Sequence, residues 1–245
     1  MSTDRREFLG AMVAGLVVVG EGGKHGEGGK HGEGGKHGER GRPGKGLSHS
    51  PRLPQSSPGL PQSSWDVSWT GKITGAHRAV FDTPEVSAGL GLVRTLVWLR
   101  DYAEVYGPRA IDMNAVVVLR HNAIWMIMDD EFWDHHKIGA MLKINEKNGR
   151  PVRRNPFLGP TPYQDLPPAL ADEVLKKVLA AATVLACNLA FHDVVEQVKA
   201  EAGGDAAKAR EMALHHVVPG VILQPSGVFG VLRAQEAGCN YILAS

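Results

Sequence analysis

Thr183-Val184-Leu185-Ala186-Cys187 is an apolar run that hands over directly to Asn188-Leu189-Ala190-Phe191-His192-Asp193-Val194-Val195, where apolar residues recur at helical spacing. A strand that stops where a helix begins presents its last side chain at the carboxyl edge of an α/β sheet, and such folds place their ligands at that edge. Cys187 is therefore a candidate site residue. A free cysteine is also among the most buried residue types, so the same position suits a small hydrophobe.

The same alternation extends in both directions from this segment. Upstream, His77-Arg78-Ala79-Val80-Phe81-Asp82 reads as a strand. Thr83 and Pro84 then suit the N-cap and N1 positions of a helix carrying Val86, Leu90, Val93 and Val97 and running to about Tyr106-Gly107. Ala115-Val116-Val117-Val118-Leu119 is a continuous apolar run, as expected of a strand covered on both faces. It ends at Arg120-His121-Asn122, and a helical region from about Ala123 to Leu142 follows, interrupted near Asp129-Asp130. Downstream, the pattern predicts helices at about 169–181, 190–201 and 205–216, a strand at Gly220–Gln224, a helix from Gly227 to about Ala237 and a last strand at Tyr241-Ile242-Leu243.

Strands alternating with helices imply right-handed crossovers and helices on both faces of the sheet. The expected fold class is α/β: a single doubly wound, flavodoxin-like domain with about five mainly parallel strands, preceded by a disordered N-terminal region. Eight such units in a barrel would need about 250 residues. The part from Trp65 onward has about 180, enough to bury roughly 70% of the unfolded surface.

Residues 145–168 interrupt the rhythm, because Pro151, Pro156, Pro160, Pro162, Pro167 and Pro168 exclude a regular helix or central strand. A loop of this length is a lid, a binding loop or a subunit contact. Arg150, Arg153 and Arg154 make it basic, which suits either an anion, with Arg154 as the ligand-binding candidate, or plain solvated charge.

The first 64 residues differ in kind. Asp4-Arg5-Arg6-Glu7-Phe8-Leu9 precedes an apolar run ending at Gly20 that is too short to span a bilayer of about 30 Å. The segment resembles a twin-arginine export signal over residues 1–20, which implies a periplasmic or otherwise extracytoplasmic protein. The other reading is a tail that touches a membrane only as an uncleaved signal. Gly-Glu-Gly-Gly-Lys-His then occurs at 20–25, 26–31 and 32–37, and Leu-Pro-Gln-Ser-Ser at 53–57 and 60–64. Such stretches bury too little apolar surface to offset their ordering entropy, so 21–64 reads as linker. His25, His31 and His37 could still gather a divalent metal ion, since neutral imidazole is a common ligand.

The 245 residues carry a formal net charge of +1, which argues against a nucleic-acid partner. Two cysteines cannot make a disulfide framework. Cys187 and Cys239 could pair only if their Cα atoms came within about 7 Å. Cys239, in a turn before the last strand, reads as a bystander. In a parallel sheet all strand ends share one edge, so His121, Asp82 and Ser226 are expected on the same edge as Cys187, at distances that depend on strand order, with His121 as its candidate base or cation and Asn188, Ser226 and Asp82 as ligand-binding candidates. His135-His136 and His215-His216 lie in helical stretches, where adjacent positions do not face each other.

The segment ending Leu185-Ala186-Cys187, Val218-Pro219-Gly220-Val221-Ile222-Leu223-Gln224-Pro225-Ser226-Gly227-Val228, and Gln235-Glu236-Ala237-Gly238-Cys239-Asn240-Tyr241-Ile242 together resemble the DsrE/DsrF-like family. The resemblance covers roughly 170 residues and omits the N-terminal 64, so it assigns 65–245 as a DsrE-like domain. It implies an α/β domain that forms homo- or hetero-oligomers. It also implies a sulfane-sulfur carrier with a persulfide on the cysteine that follows a strand, the position matched by Cys187. Such a carrier calls for a sulfur-donor or acceptor protein, needs no cofactor, and is more a carrier than a turnover enzyme. Family carriers are cytoplasmic, whereas this chain has an export-like start, and the 145–168 loop lies outside the minimal domain. The alternative function is a non-catalytic oligomeric scaffold with Cys187 in its core, or metal handling by the His-rich tail.

Overall fold

The computed structural model describes residues 65–107 and 112–245. The export-like segment, the 21–64 repeats and His25, His31 and His37 lie outside the described residues. The elements, in chain order, are β1 (His77–Thr83), α1 (Leu90–Tyr106), β2 (Met113–Leu119), α2 (Asp130–His135), α3 (Ile138–Met141), α4 (Pro168–Ala171), α5 (Val174–Ala181), β3 (Thr183–Cys187), α6 (Asn188–Val198), α7 (Ala206–His215), β4 (Val221–Gln224), α8 (Gly227–Glu236) and β5 (Asn240–Leu243). No helix among the described residues is long and apolar enough to cross a membrane.

The five strands form one wholly parallel sheet in the order β4-β3-β2-β1-β5. Strand alternation divides the core between the two faces. Ala79, Phe81, Ala115, Val117, Leu119, Val184 and Ala186 point into the larger cluster, beneath α1, α5 and α6. Val80, Val116, Val118 and Leu185 point the other way, into a smaller cluster with Val231 and Ala234 of α8 and with Trp69. The asymmetry follows from topology. β1, β2, β3 and β4 step in one direction across the sheet, so right-handed crossovers put all their connecting helices on one face. The single return step, from β4 past three strands to β5, puts α8 on the other.

Three elements depart from the sequence expectation, one of them the helix expected at about 169–181, which is divided into α4 and α5 where Glu173 takes a left-handed φ of 51°. Thr83 is the last residue of β1 and not a helix N-cap, and α1 begins only at Leu90 after a 3₁₀ turn over Ser87–Gly89. Gly89 has φ of 77°, and a Cβ there would lie 2.9 Å from the Phe157 ring. The chain thus bends where the 145–168 loop presses against it, and only glycine fits. The 123–142 region is a 3₁₀ turn over His121–Ile127 followed by the short α2 and α3, with Asp129 accepting the Phe132 N–H as N-cap at the expected break.

The proline-rich loop is tied down by Asn155, which is buried. Its Nδ2 donates to the Met126 and Met128 carbonyls at 2.8 and 2.6 Å, and its Oδ1 accepts from Phe157 N at 2.9 Å. Phe157 in turn meets the Trp133 ring edge-on at 6.3 Å.

Candidate functional site

In an open α/β sheet, a ligand crevice forms where neighbouring strands send their following helices to opposite faces. Here that place lies between β3 and β4: α6 leaves β3 on one side, and α8 leaves β4 on the other. Cys187 and Gln224 are register partners at this point. A cleft of about 320 Å³ opens there, lined by Arg120, His121, Cys187, Ala190, Ser226 and Gly227 among others.

Cys187 ends β3 and is also the N-cap of α6, and its Sγ accepts the Ala190 N–H at 3.4 Å. Sulfur thus occupies the place usually taken by a serine or aspartate oxygen. The residue is 6% exposed, so the sulfur is covered by the fold yet borders the cleft. Ser226 does the same for α8: its Oγ accepts from Phe229 N at 3.0 Å. Two helix N-termini, of an 11-residue and a 10-residue helix, therefore meet at one cleft, and their free N–H groups and dipoles favour negative charge there.

Arg120 follows β2 directly and supplies the cation. Its Nε and Nη2 donate to Asp82 Oδ1 and Oδ2 at 2.6 and 2.9 Å, and Tyr241 Oη donates to Asp82 Oδ2 at 2.9 Å. Asp82 is only 4% exposed. The hydrogen bonds to Asp82 hold the Arg120 guanidinium above its ordinary pKa, against the effect of burial, and charge on Cys187 adds a smaller contribution in the same direction. Tyr241 is likewise held in its phenol form, first by its hydrogen bond to Asp82. Gly227 makes room for this arrangement, since a Cβ there would lie 2.6 Å from Arg120 Cδ and 2.8 Å from its Cβ.

The residues expected from the sequence fall into three groups. Cys187, His121 and Ser226 border one cleft. His121 is exposed and takes a left-handed φ of 47°, a strained conformation for a non-glycine residue, and among the described residues it has no hydrogen bond to Cys187. Asp82 lies beneath the cleft as the counter-charge of Arg120 and is not a lining group. Asn188 and Arg154 lie outside this cleft. The Asn188 Oδ1 is taken up by Arg210 Nη2 at 2.6 Å, tying α6 to α7. Arg154 sits in a separate groove of about 830 Å³ along the 145–168 loop, which Asn155 anchors to the Met126 and Met128 carbonyls ahead of α2. That larger groove contains no cysteine or histidine.

Arg120 is the site residue that the sequence reading missed. Its signal was available: it immediately follows the apolar run of β2, one position before His121, at the same sheet edge. Cys239 is buried, and burial pushes its thiol up to about 11, so it is a poor nucleophile at neutral pH. No family model matches the chain, and neither does any curated protein or solved structure.

Proposed function

We propose that the protein is a sulfane-sulfur carrier that holds a persulfide on Cys187. The observation that carries this reading is the Cys187 sulfur acting as N-cap of α6 in a cleft lined also by Arg120 and by Ser226 and Gly227 at the start of α8. A terminal persulfide is an anion, and helix N-termini are places where proteins bind anions. The resemblance of the Cys187 segment and the Pro225-Ser226-Gly227-Val228 ending to the DsrE/DsrF-like family points the same way.

The chemistry balances without a redox partner. The Cys187 thiolate attacks the outer sulfur of a donor persulfide or polysulfide, the donor S–S bond breaks, and the donor leaves as a thiolate. An acceptor thiolate then attacks the outer sulfur on Cys187 and releases the Cys187 thiolate. His121, at the cleft margin, is the group available to take up or return the thiol proton. Export through the twin-arginine route would put the protein in an oxidising compartment, where a bare thiolate is at risk. The near-complete burial of Cys187 suits that setting.

The test is mass spectrometry of the reduced full chain after incubation with polysulfide. A mass gain of about 32 Da on the Cys187 peptide, absent in Cys187→Ser and retained in Cys239→Ser, is expected. No adduct, or an adduct confined to Cys239, overturns the proposal.

A second reading, an oligomeric binding protein, is favoured by the sheet face that carries α8 and the Trp69 segment. Val228 and Leu232 of α8 and Tyr241 and Leu243 of β5 are exposed there. Tyr241 and Leu243 pair in register with Val80 and Asp82, which puts them on that same face. Analytical ultracentrifugation tests it: a monomer at all concentrations excludes the homo-oligomer.

A further inference from the structure

Outside the cleft, one cluster of side chains has the composition and spacing of a metal centre. His135 and His136 are adjacent, and on a continuous helix they would point apart. The helix does not continue. α2 ends at His135, His136 is its C-cap, and Lys137 takes a left-handed φ of 56°. The two imidazoles therefore lie close together, with ring centroids 4.7 Å apart and planes at 87°. Glu201, just beyond α6, completes the group: its Oε1 is 3.0 Å from His135 Nε2 and 3.6 Å from His136 Nδ1. All three donor atoms lie within 4.8 Å of one another.

We infer that His135, His136 and Glu201 form a binding site for a divalent transition-metal ion of the zinc class. A tetrahedral ion with bonds of about 2.0–2.1 Å needs donor atoms roughly 3.4 Å apart. The Glu201 distances of 3.0 and 3.6 Å bracket that spacing, and the pair of histidine nitrogens lies within 4.8 Å, so side-chain rotation brings all three onto one ion. Two imidazole nitrogens and one carboxylate oxygen suit Zn²⁺, Co²⁺, Ni²⁺ or Cu²⁺ and disfavour Ca²⁺ and Mg²⁺, which take oxygen ligands. The ligands come from anchored backbone. The fully buried Phe132 packs on the His136 ring at 4.3 Å, and buried Ala202 follows Glu201. His135 and Glu201 are exposed, so the site opens to solvent and leaves a fourth position for water or another ligand.

The test uses the full chain with His25, His31 and His37 all changed to Gln, so that the tail does not contribute metal ligands. Isothermal titration with Zn²⁺ is expected to give one ion per chain. Co²⁺ is expected to give visible d–d bands of four-coordinate intensity. His135→Gln and Glu201→Gln, both at exposed positions, are each expected to weaken Zn²⁺ binding at least tenfold and to abolish the Co²⁺ bands. Their metal-free melting temperatures should match that of the parent. The inference is overturned if the tail-substituted chain takes up no Zn²⁺, or if neither His135→Gln nor Glu201→Gln changes uptake. It does not depend on sulfur loading, which Cys187→Ser removes separately.

Discussion

Arg120 holds Asp82 in a two-pronged ion pair, Nε to Oδ1 at 2.6 Å and Nη2 to Oδ2 at 2.9 Å, which links the carboxyl ends of the neighbouring strands β2 and β1. The pair lies beneath the N-terminus of α8, where Gly227 closes over the arginine side chain. Removing one member leaves the other charge largely covered, and that costs more than the pair itself contributes. Asp82→Ala is expected to destabilise the protein by about 3 kcal/mol. For a domain of this size that is a fall of roughly 6–12 °C in Tm, read by circular dichroism. Arg120→Lys keeps the charge but loses the fork, so its fall should be smaller. A melting temperature within about 1 °C of the parent for Asp82→Ala would remove the pair from the account of stability.

Gly227 tests the same region from above. Gly227→Ala puts a methyl into space held by Arg120 and is expected to cost about 1–3 kcal/mol. In the double variant Arg120→Ala/Gly227→Ala, the Cδ that makes the closest approach and the Cγ are gone and only the Cβ remains, so the clash is relieved in part. The two changes should then be non-additive, with the double variant more stable than the sum of the singles implies. Additive urea midpoints would mean that the methyl is accommodated elsewhere.

Asn155 decides how the 145–168 loop is held. Asn155→Ala leaves the Met126 and Met128 carbonyls and the Phe157 N–H without their partner, at a cost of about 3 kcal/mol. Trypsin should then cut faster after Arg153 and Arg154. An unchanged cleavage rate would show that Phe157 packing alone secures the loop.

Alkaline pH is expected to weaken the fold. Burial pushes the Cys239 thiol from 9.0 up to about 11 and the Tyr163 phenol from 10.0 up to about 12. The folded chain therefore keeps protons that the unfolded chain gives up. Stability from these groups is complete below about pH 9 and is lost as pH rises towards 11 and 12. Urea midpoints should fall across that range, and Cys239→Ser should flatten the first part of the fall. A midpoint that does not change between pH 9 and 11 in the parent would contradict this.

Local features of the chain were sufficient for the five strands, because each is a short apolar run bounded by turn residues. They were also sufficient for the helix starts at Asp205 and Ser226, where a single side-chain oxygen accepts the N–H groups of the first turn. Cys187 belongs with these: its place at a strand end and helix start depends only on the residues around it. Strand order is different, because pairing β4-β3-β2-β1-β5 joins residues far apart in the chain and leaves no local periodicity. That order puts the crevice between β3 and β4 and brings Arg120 against Asp82 and Gly227. The delayed start of α1 and the meeting of His135 and His136 with Glu201 have the same origin. Packing from distant segments ended or shifted helices that local propensity would have continued.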